Sequence, residues 1–166
     1  EDASKIWWDI RPSSRFPTLE MRITDVCTRI EDALTIAALY QSITRHLVRL
    51  RRRNLRWRLY PRMLIKENRW LAMRHGVNGQ LVELGKGRRS NYSQLASELL
   101  ELVREDAEEL GCIDAVDRMR SIVETGSSAL GQRAVYERAK SEGATAHEAL
   151  VAVVDYLIEE TVADLD

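Results

Sequence analysis

The first 28 residues carry the spacing of strands and the remainder mostly carries the spacing of helices; this imbalance constrains the fold more than any other feature. Residues 6–11 (Ile-Trp-Trp-Asp-Ile-Arg) and 18–24 (Thr-Leu-Glu-Met-Arg-Ile-Thr) alternate with period two, as half-exposed strands do. In the second, Leu19, Met21 and Ile23 face one way and Thr18, Glu20, Arg22 and Thr24 the other. Pro12, two serines and Pro17 mark the loop between them. The pattern predicts two strands in an antiparallel pair. A two-stranded hairpin is marginal by itself, so the rest of its sheet is expected from an upstream segment. The chain begins at Glu1 rather than Met, which fits a processed form or a piece of something longer.

Thr28-Arg-Ile-Glu31 has the form of a capping box and predicts a helix from there to about Arg53. Positions 33–44 contain no charge, so its first half is expected to be buried nearly all round. Its far end, with Arg45, Arg49 and Arg51–Arg53, suits the negative end of a helix dipole. Tyr60-Pro61 is a break, Lys66 to His75 a short helix closed by Gly76, and residues 80–92 a small hairpin turning at Gly85-Lys86-Gly87. Four helices are predicted over 92–110, 113–125, 128–142 and 146–165, with Gly111, Gly126 and Gly143 as C-terminal stops. Thr145-Ala-His-Glu148 is a second capping box. Leu150, Val153, Val154, Leu157, Ile158, Val162 and Leu165 form a stripe that predicts core packing. The class is therefore α+β.

Several classes are excluded. With 166 residues, 45% hydrophobic and 31% charged, the chain is neither disordered nor fibrous. No run of about 18 apolar residues is present to span a membrane. Cys27 and Cys112 cannot build a disulfide framework, which favours a reducing, cytoplasmic setting; both are expected as small buried apolar groups. His46, His75 and His147 lack ligand spacing with each other and with the cysteines. Ser90, Ser93, Ser127 and Ser128 lie in no nucleophile elbow, and Gly85-Lys86-Gly87 lacks the spacing of a phosphate loop.

Net charge hides an asymmetry. Residues 1–92 carry 16 Arg and 3 Lys against 9 acids, a net +10; residues 93–166 carry 6 bases against 17 acids, a net −11. The halves are expected to pack and neutralise one another, and the basic half also suits an anionic ligand, since arginine grips carboxylates and phosphates bidentately.

The best candidate for chemistry is the open face of the two strands. Alternation places Trp7, Asp9 and Arg11 on it from one strand and Thr18, Glu20 and Arg22 from the other, with Arg15 in the loop. Glu20 and Arg22 stand about 7 Å apart along one face. A carboxylate so placed can ligate a hard cation, and the guanidinium beside it can grip an anion. Cross-strand ion pairing on a solvated face is the plainer alternative.

The residues themselves add to this. Trp8-Asp-Ile-Arg-Pro-Ser-Ser-Arg-Phe-Pro-Thr-Leu-Glu-Met-Arg-Ile-Thr-Asp25 resembles the ATP-dependent carboxylate–amine ligases of the type 2 glutamate–cysteine ligase family. So do Glu67-Asn-Arg-Trp-Leu-Ala-Met-Arg-His-Gly76, Gly131-Gln-Arg-Ala-Val-Tyr136 and Val153-Val-Asp-Tyr-Leu-Ile-Glu-Glu-Thr161. The first motif is also similar to the Glu-x-Arg strand of glutamine synthetases. The resemblance implies part of a glutamine-synthetase-like antiparallel half-barrel, with helices packed behind. It implies an enzyme that phosphorylates the γ-carboxylate of glutamate with ATP and lets an amine such as cysteine displace the acyl phosphate. Glu20 would ligate Mg2+ or Mn2+, Arg22 would contact the acid substrate or the transferring phosphoryl, and Arg11 and Arg15 the ATP phosphates. Phosphoryl transfer needs positioning and charge neutralisation, which such residues supply.

Members of that family are considerably longer, and their N-terminal part brings further metal-binding acids and a histidine-bearing strand absent here. Residues 1–166 are thus expected to be the C-terminal part of one larger catalytic domain, with 1–28 as two strands of the site wall and 29–166 mostly helical. Alone the chain is expected to be inactive, its partner being the missing N-terminal portion. In the second motif Asn68, Arg69, Arg74 and His75 either touch substrate or anchor a loop, and Trp70 and Leu71 read as core. The rival reading is nucleic-acid binding through the Arg45–Arg62 segment, whose arginines interleave with Trp57 and Tyr60; a sequence pI near 6.4 weighs against it. A helical oligomerisation module is a third reading, and the oligomeric state stays open.

Overall fold

The computed structural model describes Asp2, residues 5–163 and Leu165. Two short strands open the chain, β1 (Ile10–Pro12) and β2 (Leu19–Met21), followed by helix α1 (Ile30–Arg52) and helix α2 (Arg62–His75). A second hairpin, β3 (Gln80–Glu83) and β4 (Arg88–Asn91), leads into α3 (Tyr92–Glu109), α4 (Ile113–Asp117), α5 (Met119–Thr125), α6 (Ser128–Ser141) and α7 (Ala146–Val162). Each sheet is an antiparallel pair, so the fold is mixed α+β.

The core lies where α1 meets α3, α4 and α5. Ala38, Leu100, Val103, Ala107 and Val116 are buried there, with Leu39, Ile43, Leu99, Ile113 and Met119 packed around them. The buried side of α1 runs through Thr35, Ala38, Ser42 and His46, a one-sided helical stripe. The expectation that 33–44 is buried all round is corrected. Helices pack on one side only, leaving Ala33, Leu34, Ala37 and Gln41 exposed, Leu34 by 56%. Charge neutralisation between the halves is visible at this junction: Arg49 pairs with Glu105 and Asp106, Arg45 with Glu109, Arg118 with Glu31.

Local signals succeeded where no distant residue competes. Pro61 precedes α2, which starts at Arg62 rather than Lys66. Gly76, Gly87, Gly111, Gly126 and Gly143 all have positive φ, the conformation that ends helices and turns hairpins at low cost for glycine. The Thr145–Glu148 capping box is present. The one predicted at Thr28–Glu31 is not. Arg29 is the residue before the helix and has no side-chain cap. The Thr28 hydroxyl bonds Ser128 at 2.6 Å, while Glu31 turns to Arg118: distant partners outcompete the local ones. The helix expected over 113–125 is broken between α4 and α5 at Arg118.

The last helix corrects a larger expectation. It ends at Val162, and residue 164 of the predicted span lies outside the described residues. Leu150, Val154, Ile158, Val162 and Leu165 are exposed rather than core, and only Val153 and Leu157 are half-buried. The cause is that α7 packs chiefly on α6, through Ala149 and against Gly131. A Cβ at Gly131 would stand 2.1 Å from the Tyr156 hydroxyl, so the close approach needs glycine. Cys27 and Cys112 are half-buried free thiols, Leu71 is buried, and Trp70, read as core, is 52% exposed.

Candidate functional site

β1 and β2 pair so that Arg11 stands directly opposite Glu20, Ile10 opposite Met21 and Pro12 opposite Leu19. Directly opposed side chains on one face are the closest cross-strand neighbours a sheet offers. Glu20 accepts two guanidinium bonds, one oxygen from Arg11 Nε at 2.6 Å and the other from Arg22 Nη1 at 3.0 Å. Arg22 directly follows β2, two residues on from Glu20, and its guanidinium lies 5.0 Å from the centre of the Trp7 ring, a cation–π arrangement. The hydrogen bond from Arg11 and the two positive charges hold the Glu20 carboxyl below the usual carboxylate range.

Asp9 leaves the set. Its carboxylate pairs with Arg69 of α2 at 3.0 Å, while its carbonyl accepts the Arg22 amide at 2.8 Å. The strand pair is thereby tied to α2. Arg15 sits in the connecting loop, where Ser13 Oγ accepts the amides of Arg15 and Phe16; its side chain is exposed and makes no ion pair among the described residues. The structure thus gathers Trp7, Arg11, Glu20 and Arg22, leaves Arg15 exposed in the connecting loop, and draws Asp9 away.

A divalent cation does not fit these residues alone. Glu20 is a single carboxylate with both oxygens engaged, and no group of three His, Cys, Asp or Glu comes together among the described residues.

The weaker candidates divide. Asn68 spends both halves of its amide on Val82 of β3, accepting its N–H and donating to its carbonyl, each at 2.7 Å. That is an anchor for the second hairpin, which answers the alternative the sequence left open. Arg74 is exposed, and His75 meets Trp70 edge-on. In the basic segment, Arg45 and Arg49 are neutralised by α3, whereas Arg51, Arg52, Arg53, Arg56 and Arg58 are exposed.

One cluster escaped sequence reasoning. Asp106, 1% exposed, accepts Arg49 Nε at 3.1 Å and Arg49 Nη2 at 2.7 Å, with His46 Nδ1 at 3.3 Å. The i, i+3 spacing of His46 and Arg49 puts both on one face of α1. Nothing in the sequence marks Asp106 among the acids of α3 as their partner.

Residues 1–155 match the sequence pattern described as glutamate–cysteine ligase family 2. The chain belongs to that family. Among similar proteins, one of Rhodospirillum rubrum, provisionally named glutamate–cysteine ligase 2, is 55% identical over 165 residues, covering 99% of this chain and 42% of the relative. One of Jannaschia sp., with the same provisional name, is 49% identical over 166 residues, covering 99% of this chain and 43% of the relative. The chain therefore spans less than half the length of these family members. No helix among the described residues is long and apolar enough to cross a membrane.

Proposed function

We propose that this chain is the C-terminal part of the catalytic domain of an ATP-dependent carboxylate–amine ligase that joins the γ-carboxylate of glutamate to an amine such as cysteine. The observation that carries the reading is the strand wall: two guanidinium groups fixed on one carboxylate, in a chain of this family. In the reaction a substrate carboxylate oxygen attacks the γ-phosphorus of ATP, giving an acyl phosphate and ADP. The amine then attacks the acyl carbon and expels inorganic phosphate.

Each residue has a physical part. Arg11 and Arg15 neutralise the ATP phosphates, and Arg22, steadied by Trp7 and Glu20, grips the acid substrate or the phosphoryl in flight. Within this chain Glu20 orients Arg11 and Arg22. A role for it on Mg2+ or Mn2+ requires acids from the remaining portion of the full-length protein and release of its two arginines, so no step is routed through a cation here. That portion also supplies the strands that continue β1–β2 toward a half-barrel.

The test is phosphate release from Mg-ATP by the full-length protein with glutamate and a panel of amines. Amine-dependent release, abolished by Glu20→Gln with folding nearly intact, is the expected result. Absence of release with every amine refutes the ligase reading, and wild-type turnover in Glu20→Gln refutes the part given to Glu20.

A further inference from the structure

A cavity lies away from the strand wall, between the end of α1, residues 55–60, α3 and the β3–β4 hairpin. Its volume is about 700 Å3, within the range of small-molecule sites. Leu50, Leu55, Leu81, Leu95 and Leu102 make apolar walls. Trp57 also lines it, with its ring edge-on to His46 at 6.1 Å and 47% of its surface open.

The charged groups around this cavity divide into two kinds. Glu83 and Glu98 are both bound by Lys86. Arg56 and Arg58 have no carboxylate partner among the described residues. Arg58 is nevertheless seated: a Cβ at Gly85, in the hairpin turn, would lie 2.7 Å from its Nη1 and 3.3 Å from the Tyr60 hydroxyl. The φ of Gly85 is not in the left-handed region, so the glycine there answers to this close approach. His46, also in the lining, has its Nε2 buried without a hydrogen-bond partner.

We propose that this cavity binds a small anion with a flat apolar body, of the nucleoside monophosphate class. The phosphate sits on Arg56 and Arg58 and the base lies against Trp57. Both guanidinium-bearing residues line the one cavity, and two guanidinium groups can share the oxygens of one dianion. The indole offers a stacking face, and the half-buried Leu50, Leu81 and Leu95 shield one side of the bound anion from water, which strengthens the charge contacts. Arg11, Glu20 and Arg22 are not part of the lining, so binding here needs neither the strand wall nor a divalent cation.

Calorimetric titration of the full-length protein in chelator, with adenosine monophosphate, adenosine and inorganic phosphate as separate probes, tests the proposal. The monophosphate binds, and each half-ligand binds at least about tenfold more weakly. Arg58→Gln costs about tenfold or more in affinity, as loss of one charge-assisted hydrogen bond does. Gly85→Ala, which displaces that guanidinium without removing it, also weakens binding. Glu20→Gln leaves the isotherm unchanged, which separates failure of this proposal from failure of the ligase reading. No binding of the monophosphate overturns the proposal, as do equal binding of phosphate alone, indifference to Arg58→Gln, or loss of binding in Glu20→Gln. A single-stranded oligonucleotide that binds far more tightly, with steep salt dependence, overturns it in favour of a polyanion track.

Discussion

Replacing Asp106 by Asn keeps the shape of the side chain and removes its charge. Asp106 is 1% exposed and holds Arg49 through both oxygens. An amide in its place sets an N–H donor against either Nε or Nη2 of Arg49, and His46 loses its anionic neighbour. Breaking a buried pair by altering one partner costs about 3–5 kcal/mol. Arg49 retains Glu105 at 2.6 Å and some contact with water, so the low end applies, about 3 kcal/mol. For a chain of this size that is a fall of roughly 6–12 °C in Tm, read by calorimetry or urea unfolding at pH 7. Acid sharpens the test. Burial pushes the Asp106 carboxyl up, but the bonds from Arg49 outweigh it and leave the group below its ordinary value. A depressed carboxyl gives its stability fully above its unfolded pKa of about 3.9 and loses it as pH falls through the lower folded value. The gap between wild type and Asp106→Asn is therefore constant above about pH 5 and narrows below. A gap under about 0.5 kcal/mol at pH 7, typical of a surface substitution, or one that widens in acid, refutes the part given to Asp106.

Gly131→Ala drives a methyl into the Tyr156 hydroxyl and is expected to cost about 1–3 kcal/mol; Tyr156→Phe in the same chain recovers part of the lost Tm. Thr145→Ala removes the α7 cap for about 1 kcal/mol, seen as earlier exchange of the first-turn amides. The hydrogen bond from Thr145 holds Glu148 below the usual carboxylate range, so this cap weakens as pH falls through that lowered value, and the Thr145→Ala deficit shrinks in acid. Asn68→Ala leaves both backbone groups of Val82 without their partner, a loss of about 1–3 kcal/mol, and should release the Val82 amide to exchange before the core of α3.

The sequence disclosed those features whose causes are local. Alternation located the second strand, but the first pairs only over Ile10–Pro12 rather than 6–11 and takes in the proline read as loop; the register puts Arg11 opposite Glu20. Glycines placed the helix ends because positive φ is a property of one residue and its neighbours. Expectations failed where a distant residue competes. Thr28 had the right spacing to cap α1, yet Ser128 takes its hydroxyl. The stripe on α7 reads as core, but periodicity states only that a face is apolar, not that anything covers it. Asp9 alternates onto the site face, and Arg69 of α2 claims it. Asp106 is one acid among many on α3, and its burial depends on how α1 and α3 cross.

The fastening of the start of α1 also sets an order of events during synthesis. Thr28 awaits Ser128, 100 positions later, and Arg29 awaits Glu160, 131 positions later, which it grips at 2.6 and 3.0 Å. At roughly 5–20 residues per second, about 7–26 s pass between making Arg29 and making Glu160. Through that interval the strand wall hangs from a helix whose start has yet to meet its latch. A nascent chain stalled before α7 would have the helical core of α1 and α3 already able to form while Arg29 still lacks Glu160.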